Sequence, residues 1–317
     1  MKSYRSFSYL LILLAITITL IMLFFDVNTA ARFINGLIMI AIPLLLGIFL
    51  ISRFDTKWRI WGIGALTFIC SQVLHIPFNK WLLEPLMDWF GLQPEPNSMS
   101  LAVIGLLAGL SAGFFEETAR LVVYKRWLLK ARSWKEGVLF GAGHGGCEAI
   151  LLGLLVLAGF FQMVALREAT PESLSRMVSP DQVEATLTSI QAYWTTPWYE
   201  SMLGSLERVS AIIIQISLAV LVLQVNRRGK SIYYWLAVLW HTIVDMTGVY
   251  GVYSWGMYIM EAVVMGLALI SLGIIFALRT NDPPPETIAE PMPPDELKSM
   301  PTPPDVTPEK IDKSRYI

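Results

Sequence analysis

Apolar residues run in long stretches with few interruptions, near 8–26, 32–52, 59–78, 101–123, 137–165, 201–225, 232–251 and 255–278. About 20 apolar residues in a helix cross the hydrocarbon of a bilayer. The pattern therefore predicts an all-α, polytopic membrane helix bundle of about eight transmembrane helices. The polar connections test that count. Basic residues collect before the first stretch (Lys2, Arg5), between the second and third (Arg53, Lys57, Arg59), between the fourth and fifth (Lys125, Arg126, Lys130, Arg132, Lys135) and between the sixth and seventh (Arg227, Arg228, Lys230). The alternate connections are acidic or neutral, with Glu84, Asp88 and Glu95 in one and Glu168, Glu172, Asp181, Glu184 and Glu200 in another. Basic loops stay inside, so the alternation predicts an even number of spans, both termini in the cytoplasm and a multi-pass protein of the cell membrane. The first apolar run is long and continuous, and its loss as a signal peptide would leave an odd count; it is expected to be retained.

Residues 1–280 are thus expected to form the bundle. The tail after Arg279 holds ten of the eighteen prolines, and residues 281–317 are expected to be disordered and cytoplasmic. The connection at about 166–200 differs. Thr170-Pro171-Glu172 and Ser179-Pro180-Asp181 each read as a cap, a first-turn proline and an acid at a helix start. Val183, Leu187, Ile190 and Trp194 follow at helical spacing and predict an amphipathic helix on the outer surface, packed over the bundle or serving as a lid.

A composition of 55% hydrophobic and 15% charged residues agrees with a membrane protein. The net charge of −1 and the absence of a long basic run exclude an electrostatic case for nucleic acid. The two cysteines, Cys70 and Cys147, lie in apolar stretches and supply neither a disulfide framework nor a cysteine-rich zinc site.

Charged residues in hydrocarbon cost about 2.5–3.5 kcal/mol each on insertion scales, so those retained inside the apolar stretches mark a site. Gly105, Gly109 and Gly113 recur at every fourth position of the fourth stretch and predict close approach of another helix, with Glu117 continuing the same stripe. Glu116 and Arg120 share the neighbouring stripe. Two carboxylates beside one arginine leave excess negative charge, which a cation would neutralise. In the fifth stretch Phe140, His144 and Glu148 recur at fourth positions among Gly141, Gly143, Gly145 and Gly146; in the seventh, His241 and Asp245 repeat the spacing. Each histidine and its carboxylate share a helix face, and imidazole with carboxylate is a donor set that divalent metals select. Counted inward from the basic loops, Glu116, Glu117, His144 and His241 fall at roughly 10–15 Å depth, with Glu148 and Asp245 one turn deeper. His75, near the outer end of the third stretch and beside Pro77, is expected to stand apart. Gln215 lies deep enough to touch the site, and Glu207-Arg208 reads as an ion pair. The run Gly109-Leu110-Ser111-Ala112-Gly113 fits a serine-hydrolase elbow, but within a helix it lacks the strand-to-helix turn that elbow needs. There is no His-Glu-x-x-His.

The succession Glu116-Glu117-x-x-Arg120, Phe140-x-x-x-His144 and His241-x-x-x-Asp245 resembles the type II CAAX prenyl endopeptidase and bacteriocin-processing (CPBP) superfamily and the PrsW-like proteases. Gly143-His144-Gly145-Gly146-Cys147-Glu148-Ala149-Ile150, followed by Glu207-Arg208, is similar to the YhfC-like intramembrane metalloproteases. The likeness extends from about residue 70 to 250. The arginine follows the second glutamate by three residues where the CAAX endopeptidases typically have four, and Asp245 stands where many relatives have asparagine.

The resemblance implies a zinc ion (Zn2+) held by His144 and His241, with Asp245 and one of Glu116 and Glu117 completing the sphere. The other glutamate would act as base, Arg120 would hold it ionised, and Glu148 would orient His144 or ligate. Such a membrane metalloendopeptidase hydrolyses a membrane protein or peptide substrate in or near the lipid bilayer, with water expected to enter from the cytoplasmic side. Two other readings use the same residues: an ion- or proton-coupled transporter, and an inactive scaffold of the same fold.

Overall fold

The computed structural model describes residues 2–279; the expected tail at 281–317 lies outside them. Each apolar stretch coincides, within two residues at either end of the stretch, with part of a long helix: α1 (Lys2–Phe24), α2 (Val27–Phe54), α3 (Trp58–Phe78), α5 (Met99–Arg126), α6 (Trp134–Ala165), α10 (Leu203–Arg228), α11 (Ile232–Ser254) and α12 (Met257–Ala277). Short helices α4 (Glu84–Trp89), α7 (Pro171–Leu174), α8 (Val183–Thr195) and α9 (Trp198–Ser201) occupy the connections, and no strand occurs among the described residues. Six segments are long and apolar enough to cross a membrane: Val27–Phe54, Trp58–Trp89, Met99–Arg126, Trp134–Ala165, Trp198–Arg228 and Met257–Ala277. α1 supplies a shorter apolar run, Leu11–Phe24. α11, which carries His241 and Asp245 among several tyrosines and tryptophans, is not one of the six. The protein is a multi-pass, all-helical membrane protein.

Helix starts carry their own signals. The Asp26 carboxylate accepts from the Thr29 amide at 3.0 Å and from its hydroxyl at 2.7 Å, opening α2. These bonds hold the Asp26 carboxyl below its usual range. Ser133 and Glu136 form a reciprocal capping box at the start of α6, and Gly229, at φ 67°, ends α10 in a conformation that favours glycine. Past Pro77, which has no amide hydrogen to donate, α3 continues into a π-helical turn at Asn79–Leu83.

α6 lies in the middle, packed on α2, α3 and α10, while α5 packs against α11 and α3. Where helices meet, glycines remove the side chains that would hold them apart. A Cβ on Gly109 would lie 2.7 Å from the Thr242 carbonyl oxygen of α11, and one on Gly143 would lie 2.0 Å from that of Trp61 in α3. The α6 glycines therefore admit neighbouring helices rather than open a cavity around His144. These pairings bring the ends of α2, α5 and α10 and the starts of α3, α6 and α11 to one end of the bundle, so the basic connections gather there.

In the connection at 166–200, Thr170 caps α7 through the Ser173 amide at 3.3 Å, whereas Ser179 makes no side-chain cap bond and leads through a 3-10 turn at Pro180–Gln182 into α8. Arg32 of α2 is buried and holds α8 down. Its guanidinium donates to the carbonyls of Tyr193 and, at 2.7 Å, Thr196, and lies 5.0 Å from the Tyr193 ring centre.

Candidate metal-binding and catalytic site

Adjacent residues on a helix point about 100° apart, so Glu116 and Glu117 serve two different neighbours. Glu116 turns toward α6, where its Oε2 pairs with His144 Nε2 at 3.0 Å. Glu117 continues the glycine stripe toward α11, where its Oε1 pairs with His241 Nδ1 at 2.7 Å. The other nitrogen of His241 lies 3.5 Å from Asp245 Oδ2. Arg120 sits between the two pairs. Its guanidinium donates to Glu117, to Glu116 at 3.4 Å and to the side-chain oxygen of Gln215. Glu116, Glu117, Arg120, His144 and His241 are all buried.

Glu148 lies elsewhere in this network than expected. It accepts from Arg208 at 2.8 Å and from Gln215 Nε2 at 2.9 Å, both on α10, and makes no bond to His144. The reason is angular: Glu148 is drawn to the cationic face of α10, and the partner of His144 comes from α5. Arg208 also pairs with Glu207. The polar network therefore runs from Glu116 and Glu117 through Arg120 and Gln215 to Glu148 and Arg208.

A second branch escaped the sequence reading. Gln72 Nε2 donates to Glu116 Oε1 at 3.0 Å, Gln72 Oε1 lies 3.3 Å from His75 Nδ1, and Asn79 Nδ2 lies 2.9 Å from His75 Nε2. Ser111 then donates to Asn79 at 2.7 Å. His75 is thus joined to Glu116 through one glutamine instead of standing apart. The spacing of Gln72, His75 and Asn79 on one helical face was the available signal.

A cavity of about 1250 Å³ reaches this network from one direction. Asp245, His241, Glu148, Gln215 and His75 line its inner part; Glu84, Asp88 and Gln93, from the acidic connection, line the other. Toward the basic connections an apolar cluster covers the network. Tyr124 packs on Phe140 at 4.8 Å between ring centres, and with Leu218, Val222 and Ala237 these residues form a buried apolar cluster. Aromatic and aliphatic side chains thus pack between the network and the basic connections, the side from which water was expected to enter, whereas the described cavity lies toward the acidic connection.

The donor chemistry fits a divalent metal. Two histidines stand among carboxylates, and two buried atoms capable of ligation, Glu117 Oε2 and His144 Nδ1, have no hydrogen-bond partner. As arranged, the donors pair with one another, and among the described residues no three His, Cys, Asp or Glu side chains converge into a metal-holding group.

The chain matches the sequence profile described as YhfC intramembrane metalloprotease over residues 38–268. It is also 30% identical, over 218 residues, to a Bacillus subtilis (strain 168) protein named "Uncharacterized membrane protein YhfC", an alignment covering 68% of this chain and 82% of that one. No solved structure matches it. With the match extending over most of its length, the chain belongs to the YhfC intramembrane metalloprotease family.

Proposed function

We propose that this protein is a zinc-dependent intramembrane endopeptidase. The supporting observation is the pairing of two adjacent glutamates with two histidines around one buried arginine, at the inner end of a cavity. His144 and His241 would hold the metal, joined by Asp245 and by one of Glu116 and Glu117. When bound, zinc supplies a Lewis acid that makes water nucleophilic at neutral pH and polarises the scissile carbonyl. The remaining glutamate takes a proton from water as the water oxygen joins the carbonyl carbon. It passes that proton to the nitrogen as the C–N bond breaks. Arg120 keeps both carboxylates ionised, and Gln215 fixes the guanidinium by accepting its second edge. Glu148, paired with Arg208, orients Gln215 instead of His144. In this reading all eight long helices span, residues 1–280 form the bundle, and the tail lies with the basic loops in the cytoplasm.

One observation favours a second reading: Glu116 already pairs with His144, and the donors do not converge on one point. A carboxylate–imidazole pair can activate water by itself. A transporter needs paths to both faces, and the Tyr124–Phe140 cluster closes one end of the described bundle. Profiling of protein N-termini in membranes from cells expressing the wild-type chain, Glu116→Gln or Glu117→Gln tests the proposal. New N-termini should appear with wild type and disappear with whichever glutamate is the base; normal cleavage by both variants would contradict it.

A further inference from the structure

The cavity and the closed end of the bundle together define the side from which a substrate arrives. The inner lining lies on α3, α5, α6, α10 and α11, with Met260, Glu261 and Val264 of α12 completing the wall. The lining continues outward through Gly248, Val252 and Met257 to Met87, Asp88, Leu92 and Gln93 of the connection between α3 and α5. Its volume of about 1250 Å³ exceeds the roughly 300–1,000 Å³ of small-molecule pockets, leaving space for a stretch of polypeptide and its water. On the opposite side of Glu116 and Glu117, Val123, Tyr124, Phe140, Ala219, Val222 and Ala237 are buried against one another, and Tyr124 donates to the Ala219 carbonyl at 3.3 Å. That plug spans the helices that carry the two glutamates, both site histidines and Gln215. The helix ends beyond it bear Lys125, Arg126, Lys135, Arg228 and Lys230. Loops rich in Lys and Arg remain in the cytoplasm.

We propose that the site opens to the extracytoplasmic face, and that its substrates are peptide segments on that face, either juxtamembrane segments of membrane proteins or chains translocated across the membrane. This rests on the endopeptidase reading for the word substrate, but the direction of access stands on the cavity and the charge of the loops.

The test uses the full chain in intact cells, with Cys70 and Cys147 replaced by alanine and one cysteine introduced at a time. Gly248→Cys and Ala211→Cys place a thiol in the cavity; at Gly248 an added Cβ would meet nothing nearer than the Met260 methyl at 3.8 Å. Lys130→Cys marks the basic end. A membrane-impermeant charged methanethiosulfonate should label both cavity positions in intact cells, while Lys130→Cys should lose all labelling until the cells are permeabilised. Two cavity positions guard against one variant failing to fold. Labelling of Lys130→Cys in intact cells, or labelling of the folded cavity variants only after permeabilisation, would overturn the proposal. The outcome is separable from the peptidase reading: cleavage that persists in both glutamine variants removes the enzyme and leaves the direction of access intact. A cleavage site mapped to a cytoplasmic segment removes the direction and leaves the enzyme.

Discussion

Arg120 is the residue on which the buried charge balance turns. Among the described residues it is the one guanidinium that touches both Glu116 and Glu117, and its loss leaves two carboxylates in a low-dielectric interior without that cation. Arg120→Ala should cost about 3–5 kcal/mol, the range for breaking a buried ion pair, read as a lower melting temperature in detergent. An unchanged melting temperature would mean that the cluster carries no excess charge. The single-helix parts of this arrangement were legible in the chain, because His144 with Glu148, His241 with Asp245, and Glu116 with Arg120 each recur at helical spacing. Partners from other helices were not. Arg208 meets Glu148 across 60 positions, and Gln72 meets Glu116 across 44, so no local pattern announces either bond. That is why Glu148 was assigned to the histidine on its own helix when its carboxylate is held by α10.

At the level of the helices, the contact between α5 and α11 positions Glu117 against His241. It depends on Gly113, where a Cβ would lie 2.9 Å from the Val238 carbonyl oxygen and 3.3 Å from the His241 Cβ. Gly113→Leu should destabilise by about 1–3 kcal/mol through overpacking and should reduce cleavage by parting the two side chains. Gly62→Leu serves as its control, since nothing lies within 4 Å of a Cβ there. Equal effects of the two substitutions in melting and in N-terminal profiling would refute this role for the seam. The glycine stripe on α5 could be read from its period of four. The glycines of α6 leave space at its surface, and that space is taken by α3, α10 and the Pro43 region of α2. A sequence period tells which face is small and not what fills it.

For the whole molecule, alternation of basic and acidic connections was enough to outline a helical membrane bundle, since hydrophobic length and loop charge act along the chain. The position of the cavity was not legible, because it depends on how side chains from several helices pack together and which of them the cavity leaves uncovered. The central claim is that the two histidine–glutamate pairs form one zinc site. The most direct measurement is metal content by elemental analysis of the detergent-purified full chain, prepared without chelators, beside the His144→Ala, His241→Ala double variant. The account predicts near-stoichiometric zinc in the wild type and its loss in the folded variant; wild-type protein free of metal, or variant protein that keeps it, would contradict the account.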